Sequence, residues 1–118
     1  MSAAFDETEA LRRTRGDPAL LAELIEIFLE DSPQHLRSAE DALARGDAPA
    51  LRQAAHTLKG SMTTFGLEDR DDAVYRLERT ASDGKLTDAR ELLSELKRDL
   101  TKLSREVNEW WRGYGKSS

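Results

Sequence analysis

The sequence predicts an all-α fold: an antiparallel up-down four-helix bundle, with a short N-terminal helix that caps one end or frays. Three observations carry that prediction. Composition favours helices over sheets, since 35% of the 118 residues are charged and only 6% aromatic, with Leu, Ala, Glu and Arg prominent. Apolar residues recur at alternating steps of three and four in several long stretches. The connections between those stretches are short, and short connections make antiparallel neighbours. A chain of this length forms one domain and can bury roughly two-thirds of its unfolded surface, enough for an independent core. Its parts are an N-terminal segment at 1–16, the bundle at 17–112 and a flexible tail at 113–118.

Composition also excludes function classes. There is no cysteine, which removes disulfides, Cys-based zinc sites and thiol catalysis. A net charge of −5, from 23 acidic against 18 basic residues, argues against nucleic acid as the partner. No apolar run approaches the ~20 residues of a membrane span, and the N-terminus lacks a signal-peptide pattern. A cytoplasmic protein without a membrane partner is the default, and the start at Met with a tail of its own favours a free-standing chain.

Taken in order, residues 4–14 form a short helix whose only large apolar groups are Phe5 and Leu11, too few for a bundle member. Asp17 then caps a long helix, with Pro18 at the first position, where its missing N–H costs nothing. Leu21, Leu24, Ile25, Phe28, Leu29, Leu36, Ala39 and Leu43 line one face of it. Pro33 removes a hydrogen bond to Leu29 and crowds that turn. Because the apolar pattern resumes in phase, a kinked but continuous helix to about Arg45 is expected; a break at Asp31-Ser32 is the alternative. Gly46 suits the left-handed position after a helix. Asp47, followed by Pro49, opens a second helix over about 48–65 that ends at Gly66.

The third helix is expected over 67–82, with Leu67, Ala73, Val74, Leu77 and Ala81 inward. Its charged start from Glu68 to Asp72 suits a first helical turn. Arg70, however, falls on the inward register, and must either snorkel its head to water or a carboxylate or rearrange the chain locally. Asp83-Gly84 ends this helix, and Thr87 or Asp88 caps the last one. There Leu86, Ala89, Leu93, Leu96, Leu100, Leu103, Val107 and Trp110 repeat at four-three spacing. A coiled-coil seam has the same pattern. Three other amphipathic helices need a partner face, so a monomeric, intramolecular bundle is expected, and a homodimer through this helix is the alternative. Trp111 and Tyr114 leave the apolar pattern.

The helix over 48–65 carries the chemistry. Leu51, Ala55, Leu58, Met62 and Phe65 fall within about ±40° of one direction at ~100° per residue. His56 then points about 140° away and Gly60 about 180° away, so the histidine faces water. Gln53, Thr63 and Thr64 share that outward side, and Lys59 sits on its flank. Gly in a helix interior costs about 1 kcal/mol relative to Ala, so Gly60 either clears an approach to the imidazole or accommodates packing. Lys59, at i+3, can offer a cation to an anion held there. An imidazole is largely neutral near pH 7, so a ring nitrogen has a lone pair to offer. One surface histidine alone is an ordinary residue; the combination suits a phosphoryl group on nitrogen.

Other chemistries lack their parts. His35, the second of the two histidines, is a surface residue on another helix, and no metal-ligating pair of Glu-x-x-His runs occurs. Leu58-Lys59-Gly60-Ser61 has neither the strand nor the second glycine of a phosphate-cradling loop. A Ser-His-Asp hydrolase needs a sharply turned nucleophile and an oxyanion hole, which a plain bundle does not provide.

The run Ala55-His56-Thr57-Leu58-Lys59-Gly60-Ser61, then Phe65-Gly66 and Leu77-Glu78, resembles the histidine phosphotransfer (HPt) domain over roughly residues 18–105. The resemblance implies that His56 accepts a phosphoryl group from a receiver-domain phosphoaspartate and passes it to another response-regulator receiver. It implies that Lys59 helps hold the phosphoryl oxygens and that Gly60 keeps the approach open. Its partners would be receiver domains or a hybrid histidine kinase. The chain would bind no cofactor, the receiver bringing Mg²⁺, and no metal ligand is assigned. Arg52, Gln53, Thr57, Gly60, Thr63 and Thr64 surround His56 as the docking surface, a neutral to basic face suited to an acidic partner. No ATP-binding motif is present, which fits a phosphocarrier without kinase activity of its own. Arg70 departs from the family, which has an apolar residue four after the Gly. From a different class, the alternative is a non-phosphorylated helical adaptor using the same face or the Trp110-Trp111 tail; a helical oligomerisation module is a third reading.

Overall fold

A computed structural model of the protein describes residues 5–67 and 69–117, with side chains described as far as Tyr114 at the C-terminal end. The described residues form five helices and no strand: α1 (Glu7–Arg13), α2 (Pro18–Arg45), α3 (Ala48–Thr64), α4 (Ala73–Ser82) and α5 (Ala89–Ser117). Helix α2 packs on α3 and α5, and α4 packs on the same two, so four helices close around one core while α1 rests against α2. That core is built from Leu21, Ile25 and Phe28 of α2, Leu51, Leu58 and Met62 of α3, Val74 and Leu77 of α4, and Leu96, Leu103 and Val107 of α5. Burying each such side chain contributes about 1.5–3 kcal/mol before chain entropy is charged against it. The four-three seam of α5 is thus consumed within the chain.

Local chemistry sets the helix ends. The Asp17 carboxylate accepts from the Ala19 and Leu20 N–H groups at 3.0 and 3.3 Å, and Pro18 occupies the first turn. Helix α2 passes through Pro33 without a break and stops at Gly46, whose φ of 67° is left-handed. Asp47 caps α3 by accepting from the Ala50 N–H at 3.1 Å. These ends lie where the sequence places them.

Two stretches differ from expectation. Leu67 and residues 69–72 are not helical; α4 begins at Ala73, after an extended Asp72. The Asp69 side chain accepts from the Asp71 N–H and its carbonyl from the Asp72 N–H, both at 2.9 Å. An Asx-type turn of this kind competes with helix for the same backbone donors. The inward register assigned to Arg70 therefore does not exist, and Arg70 is exposed. The expected start of the helix also included Glu68, which lies outside the described residues. At the other end, α5 continues to Ser117, through the stretch expected to be a tail. Trp110 stacks on Tyr114 there, one turn on, with centroids 5.5 Å apart and planes 6° from parallel.

Helix α1 caps the bundle. The Asp6 N–H donates to the Phe65 carbonyl at 3.0 Å, the Phe5 N–H donates to Glu106 Oε1 at 3.0 Å, and the Phe5 ring meets Phe65 edge-on at 6.3 Å. Gly66 makes room for this. Its φ is +101°, and a Cβ there would lie 2.5 Å from the Asp6 Cβ. Gly66→Ala is expected to cost about 2–3 kcal/mol, from backbone strain and the displaced α1 anchor together. Urea denaturation measures it, and an unchanged midpoint would mean that α1 does not dock at Gly66.

Candidate functional site

Leu51, Ala55, Leu58 and Met62 of α3 are fully buried, and steps of about 100° per residue then turn His56 outward. Its side chain is 57% exposed. Of the residues expected around it, Arg52, Gln53 and Gly60 are exposed and Thr57, Thr63 and Thr64 half-buried. Thr57 and Thr64 donate their hydroxyls back to the Gln53 and Gly60 carbonyls, each at 3.1 Å. Thr63 Oγ1 bonds Tyr75 Oη at 3.0 Å, and Tyr75 Oη donates to the Leu67 carbonyl at 3.2 Å. These bonds tie the start of α4 to the outer side of α3.

The residue that organises the site stands out in the sequence only as part of the Leu77-Glu78 run, which assigns it no chemical role. Glu78 of α4 reaches α3 with both oxygens: Oε1 lies 2.8 Å from His56 Nδ1 and Oε2 2.5 Å from Lys59 Nζ. An ionised carboxylate only accepts, so Nδ1 carries the proton and donates it. In the neutral ring Nε2 then holds the lone pair, and it has no hydrogen-bond partner among the described residues. Partial burial pushes the Glu78 carboxyl up, but the hydrogen bonds and charges of Lys59 and His56 outweigh it and hold the group below the ordinary carboxylate range. Lys59 is itself confined, bonded to Glu78 and lying 5.5 Å from the Tyr75 ring centroid. Leu77 is inward by periodicity, but which flank of α4 faces His56 depends on how α4 packs on α3.

Further features of the surface of α3 bear on an approaching partner. A Cβ built on Gly60 would meet nothing within 4 Å, so packing within the chain does not require glycine there. On the α2 side runs a small groove of about 110 Å³, with Leu24, Ile27, Phe28 and Thr64 among its walls. Ile27 is 54% exposed, a large apolar side chain off the core-facing stripe. His35 lines the same groove. On the α4 side a cleft is lined by Arg52, Lys59 and Glu78 together with further basic residues. The groove thus borders α3 on its α2 side, and the cationic cleft borders it on the α4 side, where Lys59 and Glu78, the latter bonded to His56, line its wall. No described helix is long and apolar enough to cross a membrane.

Helices closed around one strand of core side chains, with an imidazole braced outward by a carboxylate, define a class: the helical modules that carry phosphoryl groups on histidine in two-component phosphorelays. The chain belongs to the Hpt domain family, whose model matches residues 23–106. Its structure is similar to the crystal structure of histidine-containing phosphotransfer protein B (HptB) from Pseudomonas aeruginosa PAO1. The two share 26% identity at a TM-score of 0.84, covering 97% of this chain and 99% of that one. No curated protein matches the chain.

Proposed function

We propose that the protein is a phosphocarrier that takes a phosphoryl group from a receiver-domain phosphoaspartate onto His56 and hands it to a second receiver. The observation that carries this reading is the Nδ1–H hydrogen bond to Glu78, which leaves Nε2 of an exposed imidazole as the nucleophile. The Nε2 lone pair attacks phosphorus, the acyl P–O bond breaks, and the partner's aspartate leaves as a carboxylate. The ring, still protonated on Nδ1, becomes cationic, and its hydrogen bond to Glu78 becomes an ion pair as well. Attack by a second aspartate reverses each change. Lys59, one turn on from His56, supplies a cation beside the transferred group. Mg²⁺ held by the receiver would neutralise charge on that group, and on this reading the chain binds no cofactor of its own. Phosphoryl transfer depends chiefly on positioning and charge stabilisation, which a rigid helix and a fixed carboxylate provide.

The docking surface on this reading comprises Arg52, Gln53, Thr57, Gly60, Thr63 and Thr64, extended by Ile27 on α2. The closed helices are read as a monomeric, antiparallel up-down bundle, working in the cytoplasm where receivers meet their donors. Incubation with a radiolabelled phospho-receiver and Mg²⁺ tests the function. Acid-labile, base-stable label on the chain is the expected result; no transfer from a panel of receivers would favour the adaptor reading.

Gly60 provides a separate check. Gly60→Ala is expected to stabilise the isolated protein by about 0.5–1 kcal/mol through helix propensity, since the new methyl meets nothing in the chain. It should also slow transfer, because that methyl projects where the partner approaches. Urea melts and transfer rates read the two effects independently, and a stabilised variant with an unchanged rate would move the docked partner away from Gly60.

A further inference from the structure

We infer that the cleft beside His56 on the α4 side is a recognition site for carboxylate side chains of the docked partner, with Arg70 and Arg79 selecting among receivers. This rests on the phosphocarrier reading and adds the chemistry of the surface that the partner must present. The cleft, about 270 Å³ and open to solvent, gathers basic groups from three separate pieces of chain: Arg52 and Lys59 from α3, Arg70 from the turn before α4, and Arg79 from α4. Arg70 arrives there because the Asp69 turn replaces the helical register that would have sent it inward.

Four arginines outside the cleft are neutralised within the chain. Arg12 and Arg13 pair with Glu9, Arg45 with Asp47, and Arg76 with Glu95. Arg52, Arg70 and Arg79 are exposed, and no ion pair joins any of them to a described residue. Within the cleft the carboxylates are Glu78, whose two oxygens are already engaged by His56 and Lys59, and Asp83. Four cations against two carboxylates make a local excess of positive charge in a protein of net charge −5.

A guanidinium is a planar fork that fits a carboxylate two-pronged, and it is more weakly hydrated than an ammonium, so it suits contacts made on docking. An open cleft does not enclose a small ligand as a binding pocket does. It does lie on the flank of the surface that a receiver must cover to reach Nε2. Acidic side chains on that part of the receiver complete the pairs that this chain leaves open. Receivers with neutral or basic groups there dock less well, and the difference appears in association more than in chemistry.

The test uses a phosphorylated receiver that labels the wild-type chain, and compares wild type with the Arg70→Gln/Arg79→Gln double variant. At about 50 mM salt KM is expected to rise about 3- to 30-fold with kcat within about twofold, and at about 500 mM most of that difference should vanish. Thermal melting should be unchanged, because neither arginine has an ion-pair partner among the described residues. Arg70→Glu/Arg79→Glu should raise KM further. An unchanged KM and salt dependence, while His56→Gln still blocks labelling, would overturn the recognition site and leave the carrier intact. A fall in kcat at constant KM would also overturn it, by placing the arginines in the chemistry. A wild-type chain that accepts no label from any receiver overturns both readings.

Discussion

His56→Gln is expected to abolish acid-labile labelling by a phospho-receiver while leaving helix content and the urea midpoint unchanged. The amide nitrogen of glutamine has its lone pair delocalised into the carbonyl, so nothing at that position can attack phosphorus. The side chain it replaces is 57% exposed and contributes nothing to the core. Surface substitutions of this kind stay within about 0.5 kcal/mol of wild type. Loss of label therefore reports chemistry and not unfolding, provided circular dichroism and the urea midpoint match wild type. A variant that still takes label in acid-labile form would place the phosphoryl group on another residue.

Glu78→Ala is expected to slow transfer about 10- to 100-fold, the range seen when a group that orients an imidazole is removed in metal sites. Without the carboxylate at 2.8 Å, nothing holds the proton on Nδ1, and the share of rings with an Nε2 lone pair falls. The phosphorylated, cationic ring also loses its counter-charge, and Lys59 loses its anchor. Glu78→Gln keeps an acceptor of the same shape without the charge, so its rate should lie between those of Ala and wild type. Nitrogen NMR of the imidazole separates positioning from mere structure: the Nδ1–H tautomer in wild type, a mixture in the Ala variant. Equal rates across the three proteins would remove Glu78 from the mechanism.

The same pair fixes the sign of a pH effect. The folded Glu78 carboxyl is held below its ordinary value. The stability it contributes is therefore fully present above the ordinary carboxylate range and lost as pH falls through the lowered value. Denaturation should show a gap between wild type and Glu78→Ala at neutral pH that closes in acid. A gap that persists in acid would trace it to packing instead of charge.

What could be read in the sequence was what a single helix determines by itself. Asp17-Pro18, Gly46, Asp47 and the in-phase resumption after Pro33 are local signals, and each helix end they mark is where the structure has it. The outward direction of His56 follows from Leu51, Ala55, Leu58 and Met62 facing the core, because periodicity fixes angle about one axis. The stretch 69–72 was misread for a chemical reason: acids that favour a helix N-terminus also fold back on their own backbone, and at Asp69 the second tendency prevails.

Tertiary structure alone decided who stands beside the histidine. Glu78 lies 22 positions further along the chain, and its distance from His56 depends on the crossing and offset of α3 and α4. The gathering of Arg52, Arg70 and Arg79 in one cleft depends on three pieces of chain meeting. No periodicity encodes either arrangement, since a repeat describes the face of one helix and not the separation between two. Sequence determined which nitrogen-bearing side chain of α3 turns outward; packing determined the carboxylate that braces it and the cations on its flank.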